Sequence, residues 1–291
     1  MIRVICQTIK TSIIKLSLRM SSLSNQSNRL NSFGTNEEDP IYEATVHSIK
    51  NLSPTIKQFY LAINDPLKTF YFQSGMFLDF YLSPSITSII TGFSICNSPL
   101  NYSKTHLIEL AIKETDYAPT KYMFNDCQVN EKVFVKPGGK FFYQPPTTTT
   151  ATNNSILLIC AGIGANPIVS ILRHLLDIHQ SNNSPRNFHR IEFFYTAATR
   201  EDLVFHHSID LSCQQMIKDN VLRTNYFVTR EINDDIKINN RRINATDLQQ
   251  SIQWLEKPVT AYLCGPSSFI DDTENILKKL DVKKVLYEKW W

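Results

Sequence analysis

The 291-residue sequence predicts two unlike halves, a small antiparallel β-barrel or sandwich followed by a doubly wound parallel α/β sheet. Three observations predict it. Between Ile41 and Phe142, short apolar runs recur between turn residues, and helical periodicity is almost absent. From Pro145 to Asn154 the chain reads PPTTTTATNN, a polar, low-complexity break. Beyond the break, strand-like and helix-like segments alternate, as in βα units that build a parallel sheet covered on both faces. The length suits two domains of about 100–200 residues each. We therefore divide the chain into 1–36, 37–145, 146–154 and 155–291.

Residues 1–36 read as an address. Ile2, Ile5, Ile9, Ile13, Leu16 and Met20 share one helical face, flanked by Arg3, Lys10, Lys15 and Arg19. The segment has seven serines and no acid, the composition of a mitochondrial presequence. A matrix location is the expectation. The formal charge of +3 comes from this segment. Removing its five basic residues from the 30 in the chain leaves 25 basic against 27 acidic, a net −2. A body so close to neutral gives no electrostatic argument for nucleic-acid binding. No apolar run is long enough to span a bilayer, so no stable membrane insertion is expected.

In the first half, Tyr42-Glu43-Ala44-Thr45-Val46-His47 alternates as a half-buried strand does. Gln58–Ile63, Met76–Leu82, His106–Lys113 and Lys132–Val135 follow as further strands. In the second half, Ile156–Ile159 and Ile191–Tyr195 are continuous apolar runs, the mark of strands buried on both faces. A helix is predicted after the second run, through Asp202 and Phe205. Tyr226-Phe227-Val228 is a third strand, and a polar loop covers 231–244. Thr246 or Asp247 opens a short helix to Leu255. Val259–Leu263 is a fourth strand, Ile270, Ile276, Leu277 and Leu280 mark a helix, and Val285-Leu286-Tyr287 is the last strand.

The most informative stretch is 156–176. Its apolar strand runs into Gly162-Ile163-Gly164-Ala165-Asn166-Pro167 and then into an apolar pattern at helical spacing. A glycine turn that opens a helix aims bare backbone N–H groups at a phosphate. Asn166 reads as the N-cap and Pro167 as the first helical residue. Cys264-Gly265-Pro266 falls at another strand end, where open sheets bind ligands. The six cysteines (Cys6, Cys96, Cys127, Cys160, Cys213 and Cys264) are scattered without a C-x-x-C pair, which excludes zinc-ribbon and iron–sulfur spacings and reads as reduced thiols. The neighbours His206-His207 diverge on a helix, so no metal is expected.

Three stretches stand in order: Thr91-Gly92-Phe93-Ser94-Ile95-Cys96-Asn97-Ser98-Pro99, the turn at Ala161–Pro167, and Cys264-Gly265-Pro266 with the ending Tyr287-Glu288-Lys289-Trp290-Trp291. Together they resemble the ferredoxin–NADP reductase superfamily over residues 41–291. The resemblance implies a six-stranded Greek-key FAD-binding barrel and an NAD(P)-binding domain. It implies a flavin-dependent oxidoreductase that passes electrons between NAD(P)H and an acceptor held by a separate partner or a small molecule.

The same resemblance assigns residues. Phe93, Ser94 and Ile95 would line the flavin, with the Phe93 ring on the isoalloxazine and the Ser94 hydroxyl at N5. Thr91 stands where the family has the arginine of R-x-Y-S/T. A hydroxyl makes no bidentate guanidinium–phosphate contact, a loss of about 1.5–3 kcal/mol, or roughly ten- to a hundredfold in FAD affinity. Gly162, Ile163, Gly164, Ala165, Asn166 and Pro167 would hold the pyrophosphate. Thr196 and Arg200 would lie near the adenosine ribose. Arg200 would favour NADP, but its neighbours Glu201 and Asp202 repel a 2′-phosphate and favour NAD. Cys264, Gly265 and Pro266 would border the nicotinamide, with Cys264 in a positioning role. Glu288 would be a carboxylate at the redox centre, and Trp291 or Trp290 would stack over a cofactor ring. The alternative is a nucleotide-binding or sensing protein on the same scaffold with weak or no FAD, favoured by Thr91.

Overall fold

A computed structural model describes residues 40–67, 69–82, 89–144, 154–181, 188–232 and 234–290. The expected presequence, nearly all of the expected linker and Trp291 lie outside the described residues.

The first half is the expected antiparallel barrel. Its strands are β1 (Tyr42–Ser53), β2 (Ile56–Asn64), β3 (Phe77–Tyr81), β4 (Thr91–Ser94), β5 (Leu107–Lys113) and β6 (Lys132–Gly138). They form one six-stranded sheet in the order β4-β3-β6-β1-β2-β5. The two ends of that order meet. Ile95 bridges Leu110, and the Cys96 N–H donates to the Glu109 carbonyl at 2.8 Å. Closure removes both exposed edges. Period-two alternation packs the inside. Leu78 and Phe80 are fully buried, while Phe77, Asp79 and Tyr81 face outward and half-buried.

Two short helices interrupt the barrel where the sequence showed no periodicity, α1 (Pro99–Thr105) and α2 (Ala118–Asn125). Each is too short to display a helical stripe. Their only signals are the caps. Ser98 accepts from the Asn101 N–H at 3.1 Å, and Pro99 sits in the first turn.

The second half is a parallel six-stranded sheet in the order β10-β9-β8-β7-β11-β12. Its elements are β7 (Asn154–Ala161), a 3₁₀ turn (Gly162–Gly164), α3 (Ala165–Gln180), β8 (Phe188–Ala197), α4 (His206–Ser212), α5 (Gln214–Lys218), β9 (Leu222–Val228), β10 (Ile238–Asn239), α6 (Ala245–Leu255), β11 (Val259–Pro266), α7 (Ser267–Lys279) and β12 (Lys284–Trp290). The chain steps outward from β7 to β10, then returns to the other side of β7 as β11. The switch point therefore lies between β7 and β11. Leu158, Cys160, Tyr195, Tyr262 and Cys264 pack in one core with residues of the barrel, while Leu157, Ile159, Phe194 and Leu263 pack with α6 and α7.

Local chemistry corrects three boundaries. The helix after β8 starts at His206, because residues 198–205 form a turn in which the Tyr195 hydroxyl donates to the Asp202 carbonyl at 2.9 Å. The N-cap of α6 is Asn244. It accepts from the Asp247 N–H at 3.1 Å, and the Asp247 carboxylate accepts from the Asn244 N–H at 2.9 Å, a reciprocal capping box. Helix α3 starts two residues early. Its N-cap is Gly164, without a side-chain cap bond, so Asn166 and Pro167 lie inside the first turn.

Candidate functional site at the β7–β11 switch point

The glycine turn is built by close approach of two strands. A Cβ on Gly164 would lie 2.6 Å from the Cys264 carbonyl oxygen and 2.9 Å from the Gly265 nitrogen, so no larger residue fits there. Gly162 is different. Its φ is +57°, a left-handed conformation natural to glycine, and a Cβ would meet nothing within 4 Å. The open side of Gly162 and the first turn of α3, which has no side-chain cap, form a backbone cradle; there the Ala165 N–H is given to the Gly162 and Ile163 carbonyls and Pro167 has none to give. No acid occupies that turn. The positive end of the helix dipole there favours a phosphate.

At the neighbouring strand ends, register brings the predicted Cys264 and Glu288 together with Cys160, which was not predicted. Cys160, Cys264 and Glu288 are consecutive partners across β7, β11 and β12, and Pro266 pairs with Trp290. The Trp290 indole N–H donates to Cys264 Sγ at 2.9 Å. Burial pushes the Cys264 thiol well up, and the Glu288 carboxyl beside it pushes the same way. Cys264 is thus a neutral thiol, suited to positioning and unsuited to nucleophilic attack. Burial also pushes Glu288 up to about 7, and its Oε2 is buried without a hydrogen-bond partner. A carboxyl that titrates near neutrality at a strand end is a proton donor or acceptor in waiting. Trp290 is half-buried and packs against the same core.

On the ribose side, Thr196 is buried at the end of β8, paired with Ala161. Arg200 follows on the turn. Its guanidinium lies 3.5 Å from the Asp235 carboxylate, and its backbone N–H donates to Glu231. The cation that would meet a 2′-phosphate is therefore engaged by an acid.

The barrel motif sits on α3. The Asn166 amide donates to the Ala111 carbonyl of β5 at 2.7 Å, which is why it does not cap its own helix. One turn later, Ser170 Oγ donates to the Asn97 carbonyl at 2.8 Å. The next turn brings Arg173, whose Nη1 reaches the Cys96 carbonyl at 3.1 Å and the Glu109 carboxylate at 2.9 Å. Glu109 also accepts from Gln58 at 2.7 Å. Around the seam, Lys113 and Thr55 reach the Asp202 carboxylate at 3.1 and 3.4 Å. Asn166, Ser170 and Arg173 thus form a polar stripe that fixes the glycine turn to residues 96–97 and 109–111. Sequence reasoning missed Ser170, Arg173, Glu109 and Gln58. The available signal was the polar pair Ser170 and Arg173 inside an otherwise apolar stretch.

The flavin-side residues are placed unevenly. Ser94 is buried and its Oγ has no hydrogen-bond partner. Phe93, given the flavin ring by the sequence reading, instead points into the barrel core, edge-on to Phe80 with ring centroids 4.9 Å apart. Thr91 and Ile95 are buried as well, opposite Phe80 and Leu110. Strict alternation explains this. Phe93 pairs with the inward Leu78, so its ring is inward too, while Gly92 and Ser94 take the outer face. A buried, unpartnered hydroxyl beside a glycine-lined outer face is compatible with a flat flavin ring, and Thr91 offers no guanidinium for an FAD diphosphate.

The comparisons with known proteins agree with this geometry. The oxidoreductase NAD-binding domain family matches residues 158–275, from β7 through most of α7. Oxidoreductase NAD-binding domain-containing protein 1 of Pongo abelii is 31% identical over 247 residues, 82% of this chain and 76% of that protein. Among solved structures, the flavohem-like FAD/NAD-binding domain of nitric oxide dioxygenase from Vibrio cholerae O1 biovar El Tor superimposes with a TM-score of 0.67 at 19% identity, over 86% of this chain and 98% of that one. A ferredoxin NADP+ reductase from Neisseria gonorrhoeae with bound FAD and NADP gives 0.65 at 17% identity, over 87% and 100%. The fold is thus of the ferredoxin–NADP reductase type, its second half is an oxidoreductase NAD-binding domain, and the chain belongs to the family of oxidoreductase NAD-binding domain-containing protein 1.

Proposed function

We propose that the protein is an NAD(H)-dependent flavin oxidoreductase. The observation that carries the reading is the cradle at Gly162 and α3, opening at the same strand ends as Cys264, Glu288 and Trp290. The positive end of the α3 dipole attracts the diphosphate, and the bare Gly162 lets it approach the backbone. The neutral Cys264, anchored by Trp290, shapes the nicotinamide edge. Glu288 holds a proton near neutral pH at the mouth of the site. Trp290 keeps water from that edge. When bound, a flavin supplies a hydride acceptor that can hand electrons on singly. Ser94 would satisfy one of its polar atoms, and the final acceptor would be a separate partner or a small molecule.

Arg200, held by Asp235 beside Glu231, supports NAD over NADP. Equilibrium titration with each nucleotide tests this. NADH is expected to bind at least tenfold more tightly than NADPH, and Asp235→Asn is expected to narrow the gap. A preference for NADPH in the unaltered protein would contradict it.

Thr91 and the inward Phe93 favour a second reading, nucleotide binding without flavin turnover. The visible spectrum of the protein after FAD addition separates the two, since only the first predicts a bound-flavin spectrum. We place the protein in the mitochondrial matrix, on the basic, acid-free composition of residues 1–36. A tagged chain lacking 1–36 should stay in the cytosol, and continued import would refute the assignment.

A further inference from the structure

The outer face of the barrel carries an aromatic ring that the sequence reading did not use. Phe77 is half-buried and faces outward from β3, directly across from Ser94 of β4 and Gly138 of β6. Direct cross-strand partners project from the same face with Cβ atoms about 5 Å apart, so the Phe77 ring stands beside the unpartnered Ser94 hydroxyl. The surrounding strand positions are glycines. A Cβ on Gly92 or Gly138 would come within 3.1 Å of the Phe77 ring, and one on Gly139 within 3.0 Å. No neighbouring side chain rises around the ring from those three positions. Phe93, by contrast, is buried in the barrel core, edge-on to Phe80.

We propose that Phe77, flanked by the Ser94 hydroxyl, is the stacking platform for the flavin isoalloxazine on the outer face of the barrel, in place of Phe93. A flat ring can lie on the glycine-bordered Phe77 surface. Offset or edge-on ring contacts contribute enough to change affinity by about two- to tenfold. The inference rests on the reading that the chain takes a flavin, and the test keeps the two apart.

The full chain is titrated with FAD by calorimetry while the visible flavin absorbance is followed, because packing of the isoalloxazine against an apolar ring perturbs that band. Thermal unfolding and NADH binding report the fold of each variant. Phe77→Leu is expected to weaken FAD about five- to tenfold and to reduce the absorbance change, with NADH binding kept. Gly138→Ala, which displaces the ring without removing it, should act in the same direction. Phe93→Leu should lower thermal stability and leave FAD affinity within about twofold. Should Phe77→Leu fail to fold, Gly138→Ala decides alone. Unchanged affinity and absorbance change in the Phe77 and Gly138 variants would overturn the proposal and leave the flavin reading intact. So would loss of FAD affinity in Phe93→Leu alone. No saturable FAD signal from the unaltered chain would overturn the flavin reading itself.

Discussion

Two residues of the site have effects large enough to measure singly. Gly164 lies under the backbone of β11, and a methyl there meets carbonyl and amide atoms that cannot swing aside. Gly164→Ala is expected to cost about 2–4 kcal/mol and to weaken NADH binding at least tenfold, read by thermal unfolding and titration. Gly162→Ala meets no neighbour, so its cost is the left-handed backbone alone, about 1–2 kcal/mol. Glu288 gives a pH signature. Its carboxyl is pushed up to about 7 in the folded chain, against 4.5 as the ordinary value. The folded state therefore binds more protons than the unfolded one between those values. Stability from this group is full below about 4.5 and is lost as pH rises through about 7, by at most ~3 kcal/mol. Unfolding measured from pH 5 to 8 should show this decline, and Glu288→Gln should flatten it. A slope unchanged in Glu288→Gln would show that other groups carry it.

At the scale of elements, α3 does two jobs at once. Its first turn forms the nucleotide cradle, and its exposed-looking polar stripe is the seam with the barrel. Arg173 and Glu109 are a largely buried pair tied to Gln58 and the Cys96 carbonyl. Removing one partner strands the other charge. Arg173→Met is expected to destabilise the protein by about 3 kcal/mol, and adding Glu109→Gln should recover much of it. Equal damage in the double variant would mean that packing, not charge, dominates. This stripe also shows where sequence reading stops. The amphipathic run of α3 announced a helix behind a glycine turn, yet Asn166 was assigned to cap it. Nothing local distinguishes an asparagine that caps its own helix from one that reaches a strand 55 residues earlier. The short α1 and α2 were equally hidden, because a helix of two turns has no period to read. Ten of the twelve strands among the described residues were more legible, since the central strands of the parallel sheet carry apolar runs and most barrel strands alternate or are bounded by turn residues; β4, with four residues, and β10, two residues inside the expected polar loop, are too short to show a pattern.

For the whole molecule, the register of the parallel sheet does what no single motif could. It sets Gly164 against Cys264, Cys264 beside Glu288, and Trp290 over the thiol, so three separate motifs become one site. The nucleotide half of that site was readable because a glycine turn and a strand end are local events. The flavin half was not, because inward or outward orientation of Phe93 depends on pairing with Leu78, a partner visible only in the folded sheet. The central claim is that this site moves electrons from NADH to a flavin, and anaerobic titration of the FAD-loaded chain tests it most directly. NADH is expected to bleach the flavin absorbance stoichiometrically, faster than NADPH does, and more slowly in Gly164→Ala. A protein that binds both FAD and NADH yet shows no bleaching would contradict it.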